Sequence, residues 1–357
     1  MNPIIESALL PVEVVFHPSW WYHNTGITFD EDFFYHPFKR VESEKRMEKE
    51  LYERFGEFGV GENHDKDIPL VGAVHNAAGY ILSEMLGCEV HYLEDQAPQV
   101  HCAAREDFGI AVENVMRSAP AQRLASLMDK MKTRYGYVCG DINWGGILNI
   151  AMDLRGETML MDMMLREEES QEYFAAIASV IERFTSFVSS QTGTSSISVN
   201  RIVRHIKRPV FLHSECSHTM IQEDLYENFL LPVDIRWSRE HRPFGIHYCG
   251  KDPHRFADSF AKIPQLDFLD VGWGGDIKVL REKLPHTFFS IRLDPVTINK
   301  TPEDELAGII RKLIADSGDP ALTGVCCINM DQDAEDSKIR TIYRTVEQIR
   351  NSHAKLV

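Results

Sequence analysis

The chain has 357 residues, of which 43% are hydrophobic and 26% are charged, a balance typical of a globular protein with a sizeable core. Its 38 basic and 54 acidic residues give a formal net charge of −16, which disfavours nucleic acid and anionic membranes as main partners. We recognise neither an apolar run of roughly 18 residues nor a signal peptide. Together with seven irregularly spaced cysteines, this predicts a cytoplasmic protein.

Short apolar runs alternate with longer stretches of helical periodicity along the chain. The predicted strands are, in order, Val12–Phe16, Ile68–Val74, Tyr137–Gly140, Pro209–His213, Gly245–Cys249, Phe268–Val271, Phe288–Leu293 and Leu322–Cys327. The clearest predicted helices are Glu172–Val188, Glu223–Leu231, His254–Ala261, Pro302–Ala315 and Asp336–Ile349. Strands separated by helices favour an α/β fold, a single (β/α)8 TIM barrel over residues 1–357. Residues 1–135 fit this repeat less well, and we expect helical and aromatic additions near the barrel mouth there.

His247 and Cys249 lie at the end of the fifth predicted strand. Residues two apart on a strand point to the same face, so the imidazole and the thiol share one space. We predict that they form a catalytic zinc set with Cys326, at the end of the last predicted strand, which leaves a fourth position for water or substrate. Only one of Cys326 and Cys327 reaches the mouth easily, and we predict Cys326, with Cys327 as the alternative. The competing interpretation is a buried histidine beside a packed thiol.

Other polar residues follow the predicted strands, where the chemistry of a barrel gathers. His213 is predicted to bind substrate and Glu215 to move a proton, the alternative for Glu215 being a solvated loop carboxylate. A rival zinc site of His213 and Cys216 is disfavoured, because residues three apart on a strand face opposite sides. Asp141, in a glycine-containing turn before a helix, is the second predicted catalytic residue.

Four further residues are predicted to contact substrate: Arg292, Asp294, His17 and Trp20. The planar fork of Arg292 suits a substrate carboxylate. Asp294 precedes a proline and also has the pattern of a turn initiator. Trp20 suits the wall of an aromatic site, and packing in a lid or in the core is the alternative.

Several segments stand in a characteristic order: Gly146–Met161, His213–Cys216, Asp224–Pro232, Gly245–Gly250, Arg292–Pro295 and Thr301–Asp304. In that order they resemble the uroporphyrinogen decarboxylase superfamily, whose members are (β/α)8 barrels. The resemblance covers residues 135–350 well and the N-terminal third loosely. The family's decarboxylases carry an R-Q-A-G-R segment near the N-terminus, where this chain has Phe16–Trp21, so a porphyrinogen substrate is disfavoured.

Within that superfamily, H-x-C with a distant cysteine resembles the corrinoid-dependent methyltransferases. The resemblance implies zinc on His247, Cys249 and a cysteine of Val325–Ile328. The chain departs from the family pattern there, because it has Cys326 and Cys327 where the family has Cys followed by Gly.

The resemblance implies a zinc-dependent methyltransferase that moves a methyl group between a small substrate and the cobalt of cobalamin carried by a corrinoid protein. The substrate is expected to be a methyl ether such as a methoxylated aromatic, which would make the enzyme an O-demethylase, or a thiol or thioether. One alternative is a metal-free decarboxylase using Asp141, Glu215 and Arg292 on a carboxylated substrate. Another is a barrel that only binds a ligand. The direction of transfer and a homodimeric assembly are left open.

Overall fold

The computed structural model describes residues 7–71, 79–140, 142, 144–193, 208–272 and 274–354. The predicted catalytic residue Asp141 lies outside the described residues. None of the helices in these ranges is both long enough and apolar enough to span a membrane.

Ten strands occur in the described ranges. They are β1 Val12–Phe16, β2 Leu70–Val71, β3 Glu89–His91, β4 Gln99–His101, β5 Cys139–Gly140, β6 Phe211–Ser214, β7 Phe244–Tyr248, β8 Phe268–Val271, β9 Phe288–Leu293 and β10 Thr323–Met330. Six of them form a curled parallel sheet in the order β1-β10-β9-β8-β7-β6. The other four make a parallel pair, β2 with β5, and an antiparallel hairpin, β3 with β4.

Helices separate most of these strands. The α-helices of the described ranges are α1 Pro18–Thr25, α2 Glu31–Tyr35, α3 Pro37–Phe55, α4 Tyr80–Met85, α5 Ala119–Tyr135, α6 Ile147–Arg155, α7 Thr158–Leu165, α8 Glu167–Thr192, α9 Glu223–Phe229, α10 Leu231–Glu240, α11 Ala257–Phe260, α12 Ile277–Lys283, α13 Pro295–Lys300, α14 Glu303–Asp316 and α15 Asp336–Ala354.

The two faces of the six-stranded sheet pack against different surroundings, because successive side chains on a strand alternate in direction. One face joins the large core formed with the helices, and its strand residues include Ile246, Leu269, Ile291 and Cys327. The opposite face, called the inner face below, carries a small separate cluster. The members of that cluster are Val210, Leu212, Phe268 and Phe288.

The predicted fold class is confirmed at a coarser level. The chain is α/β with a parallel sheet, and the predicted bounds of β8 and β9 coincide with the observed ones. Closure of eight strands into one barrel and a single domain over 1–357 stay predictions. The β3–β4 hairpin is not among the predicted strands; its strands have three residues each and exposed ends. The predicted N-terminal additions correspond to helices α1–α5 and this hairpin.

Candidate metal centre

The candidate site lies where β6 and β7 end side by side. The strands are parallel neighbours, and their register pairs Ser214 with His247. Cys216 and Cys249 each follow that pair by two residues, so the chain brings both thiols to the same edge of the sheet. His247 points to the inner face, and its side chain is buried.

Three potential ligand groups converge at this edge. The sulfur atoms of Cys216 and Cys249 and one ring nitrogen of His247 all lie within 4.8 Å of one another. Sγ of Cys216 is 3.5 Å from Nε2 of His247, and Sγ of Cys249 is 3.8 Å from the carbonyl oxygen of Cys216. Cys216 is exposed and Cys249 half-buried, so the group opens to one side. Two thiols and one imidazole with an open side match a catalytic zinc centre.

The second nitrogen of His247 is held by a buried carboxylate. Nδ1 of His247 lies 2.6 Å from Oδ2 of Asp270, and Nη2 of Arg292 donates to the same oxygen at 2.9 Å. Burial alone would raise the pKa of Asp270, but the charges of Arg292 and His247 hold this pKa below its usual value. Asp270 is therefore an anion that accepts the Nδ1–H, which leaves Nε2 to face the two thiols.

The two thiols differ in acidity. The contact with Cys216 and the neighbouring His247 lower the pKa of Cys249 despite burial. The same contact with Cys249 raises the pKa of Cys216. Cys249 is therefore the sulfur that is ready as a thiolate, and thiolates are the form that binds zinc.

Cys326 does not belong to this group of three among the described residues, although it lies on the inner face. Its Sγ is 3.7 Å from Oδ1 of Asp270. The reason is strand order: β10 is three strands away from β7, whereas β6 is adjacent to it. Cys327 lies on the helix-facing side, where burial raises its thiol pKa. The structure thus brings Cys216, rather than Cys326 or Cys327, to His247 and Cys249.

His213 faces the helices and not the inner face. Its Nδ1 lies 2.7 Å from Oδ1 of Asp234 on α10, and its ring stacks on Trp144. Burial lowers its pKa, but the carboxylates of Asp234 and Glu215 raise it to about 9. The predicted substrate contact through His213 has no geometric support, since the side chain is fully buried in this polar cluster. The rival pairing of His213 with Cys216 is not formed either.

Glu215 caps a helix. Its carboxylate accepts hydrogen bonds from the backbone N–H groups of Leu148 at 2.7 Å and Asn149 at 3.1 Å, both in the first turn of α6. It also accepts from the N–H of Ser217 at 3.1 Å. Glu215 is fully buried, so the alternative of a solvated loop carboxylate is wrong. A proton-transfer role is also unsupported, because these backbone donors engage both oxygens.

The remaining predicted substrate residues have structural partners. The Nη2 of Arg292 is committed to Asp270, and the residue is buried. Asp294 caps α13 by accepting from the N–H of Thr297 at 3.1 Å, as its alternative assignment as a turn initiator predicts. His17 caps α1 by accepting from the N–H of Ser19 at 3.1 Å.

Trp20 belongs to the core. Only 1% of its surface is exposed, and its ring centroid lies 4.1 Å from that of Phe16. This placement matches the packing alternative and corrects the predicted contact with an aromatic substrate.

Sequence reasoning missed two residues of this site, Cys216 as a partner of His247 and Asp270 as its support. The signal for both is register. Asp270 pairs with His247 across β7 and β8, as Ser214 does across β6 and β7, so all three side chains share the inner face. A parallel sheet with the predicted strand order would have placed Cys216 nearer to Cys249 than any residue of β10.

Two solved structures share the fold of this chain over nearly all of its length. A methyltransferase from Methanosarcina mazei matches with a TM-score of 0.66 and 12% identity, over 98% of this chain and 95% of that chain. A B12-independent methionine synthase from Shewanella sp. W3-18-1, in complex with selenomethionine, matches with a TM-score of 0.52 and 10% identity, over 97% and 100%. No family model matches the sequence, and no curated protein does. At these identities the likeness shows a common fold.

Proposed function

We propose that this protein is a zinc-dependent methyltransferase whose metal is held by Cys216, His247 and Cys249. The observation that carries the proposal is the convergence of two thiols and one carboxylate-supported imidazole at the ends of neighbouring strands. The fold shared with a protein named as a methyltransferase supports the same reaction class.

The residues of the chain fit zinc by their donor chemistry. Cys249 supplies a thiolate, Cys216 a second sulfur, and His247 an Nε2 lone pair that Asp270 frees by binding Nδ1–H. Zinc in this position would act as a Lewis acid on the heteroatom of a methyl ether or thioether, or would hold a thiol as its thiolate. The exposed side of Cys216 leaves the approach for that substrate.

The second reactant, which accepts the methyl group from the substrate or donates it to the substrate, is proposed to be cobalamin carried by a corrinoid protein. The basis is the resemblance described above, whose H-x-C pair, His247 and Cys249, belongs to the proposed centre. Methyl transfer from a methoxylated aromatic to cobalamin would make the enzyme an O-demethylase. Transfer from methylcobalamin to a thiol is the opposite direction.

We also propose that the parallel sheet closes into a barrel. The pair β2–β5 would close the sheet between β1 and β6 and complete eight parallel strands. A hydrogen bond supports this closure on one side: the N–H of Gly146, after β5, donates to the carbonyl oxygen of Ser214 on β6 at 2.7 Å.

The metal-free decarboxylase has less support. It needs Glu215 and Arg292 to bind a carboxylated substrate, but Glu215 accepts backbone hydrogen bonds from α6 and Arg292 is paired with Asp270. Both side chains are buried.

The test is a methyl-transfer assay with cobalamin absorbance as the readout. Cob(I)alamin is mixed with methoxylated aromatics or methyl thioethers, and methylcobalamin with thiols, in the presence of zinc-loaded or chelator-stripped protein. We expect zinc-dependent formation or loss of methylcobalamin with at least one substrate, and a fall of more than about 100-fold in Cys249→Ser. The exposed Cys102→Ser is the matched control and should keep the activity. No transfer in either direction, or equal rates without zinc, would refute the proposed function.

A further inference from the structure

Asp270 is a buried carboxylate on which several donors of the inner face converge. Its side chain has no exposed surface. Oδ2 lies 2.6 Å from Nδ1 of His247 and 2.9 Å from Nη2 of Arg292, and Oδ1 lies 3.7 Å from Sγ of Cys326. Asp270 therefore contacts both a member of the metal group and Cys326, the thiol that the sequence predicts as a metal ligand.

The hydrogen-bond direction at His247 follows from the short distances. Nη2 of Arg292 also lies 2.8 Å from Nδ1 of His247, and a guanidinium can only donate. If Nδ1 carried a lone pair, it would face the carboxylate oxygen of Asp270 at 2.6 Å, which is repulsive. An Nδ1–H donating to Oδ2 removes that repulsion, and Nη2 of Arg292 then directs its N–H at the same oxygen instead of at Nδ1.

We propose that Asp270 is the positioning residue of the metal centre and that it determines which thiol joins the group. By accepting Nδ1–H it fixes the tautomer and the direction of His247, so that Nε2 points at Cys216 and Cys249. By accepting the S–H of Cys326 it keeps this second inner-face thiol outside the ligand set. This inference rests on the proposed metal centre.

Charge balance also favours a Cys326 that stays outside the ligand set. Two thiolates neutralise a divalent cation, and Arg292 neutralises Asp270. Binding through Cys326 as a third thiolate would leave a net negative charge at a site whose inner side is buried, and an uncompensated buried charge is costly. A neutral Cys326 that donates to Asp270 avoids this cost.

The experiment measures Co²⁺ binding to the full-length, metal-stripped protein. Affinity comes from competition with a chromophoric chelator, and the number of bound sulfurs from the intensity of the thiolate-to-cobalt absorption. We expect Asp270→Asn to weaken Co²⁺ binding by about 10- to 100-fold, the usual effect of losing the partner of a metal-bound histidine. Cys326→Ser should retain wild-type affinity within about twofold and the full thiolate absorption.

The matched control is Asp267→Asn, since Asp267 is a buried carboxylate three residues earlier that pairs with Arg242 instead. It should leave Co²⁺ affinity unchanged, and circular dichroism verifies the fold of each variant. If wild-type protein shows no thiolate-to-cobalt absorption, the proposed metal centre itself is wrong. If wild type binds Co²⁺ but Asp270→Asn binds equally well, the role of Asp270 is refuted while the metal centre stands. If Cys326→Ser loses a bound sulfur, the exclusion of Cys326 is refuted, and the metal centre stands only if Cys216→Ser loses one as well. Because Cys326→Ser preserves a donor to Asp270, it remains informative if Asp270→Asn does not fold.

Discussion

His213 and His247 occupy neighbouring strands yet have opposite surroundings. The register pairs His213 with Ile246, whose side chain joins the helix-facing core, so His213 lies on that side and His247 on the inner face. His213 binds Asp234, and His247 binds Asp270. A one-residue difference in register thus separates a histidine of the scaffold from a histidine of the metal group. Local sequence patterns around either residue do not encode this difference.

His213 gives a prediction for stability against pH. Its pKa is raised from about 6.5 to about 9 in the folded protein. Its protonation therefore adds to the free energy of unfolding, fully below pH 6.5, and this contribution is lost as pH rises through about 9. The size of this contribution is about 3 kcal/mol. Urea unfolding of wild type and His213→Gln between pH 6 and 10 measures it. The stability difference between the two should shrink by about this amount as pH rises, and a constant difference would contradict the assignment.

At the scale of the element, the first turn of α6 is capped by Glu215, a residue distant in the chain. A helix leaves its first N–H groups without partners inside the helix, and two of those of α6 bond to Glu215. The approach is close: a Cβ on Gly146 would come within 2.4 Å of Oε2 of Glu215. This contact ties the start of α6 to the end of β6, directly beside Cys216.

Removal of this cap should destabilise the protein without changing the metal ligands. We expect Glu215→Ala to lower the free energy of unfolding by about 3 kcal/mol, because it leaves two N–H groups of α6, one buried and one half-buried, without their acceptor. Glu215→Gln, which retains one acceptor oxygen, should cost less. The control is Glu168→Ala, an exposed carboxylate in the first turn of α8, with an expected cost below about 1 kcal/mol. Urea titration measures all three, and a Glu215→Gln variant that is fully stable but loses methyl transfer would restore a catalytic role.

The elements were predictable where apolar runs end at turn residues, as in β8 and β9. The short, exposed strands β3 and β4 lack such a run. Within the site, the pair His247 and Cys249 followed from spacing alone. The partner Cys216 did not, because its position depends on which strand neighbours β7 and on the path of the chain after β6.

At the scale of the whole molecule, the parallel sheet gathers residues that are remote in sequence. Cys216, Cys249, Asp270 and Arg292 come from four consecutive strands, β6 to β9, or from the residues just after them. Each strand contributes at least one side chain to the same edge, and β7 contributes both His247 and Cys249, since parallel strands place their carboxyl ends together. A metal bound by Cys216, His247 and Cys249 would link the ends of β6 and β7.

Zinc should therefore stabilise the folded chain as a whole. Binding to the folded state alone adds about 2.7 kcal/mol when free zinc is a hundredfold above Kd. We expect the Tm of stripped protein to rise on adding zinc, and Cys249→Ser to show no such rise. Differential scanning calorimetry measures the effect. An equal rise in wild type and Cys249→Ser would show that zinc acts at another site.

X-ray absorption at the zinc edge tests the central claim of a Cys216, His247 and Cys249 centre most directly. For zinc-loaded wild type we predict two sulfur ligands, one imidazole nitrogen and one further light atom in the first shell. Cys216→Ser should lose one sulfur, and Cys326→Ser should keep both. A first shell without sulfur, or one that loses a sulfur in Cys326→Ser and not in Cys216→Ser, would contradict this account.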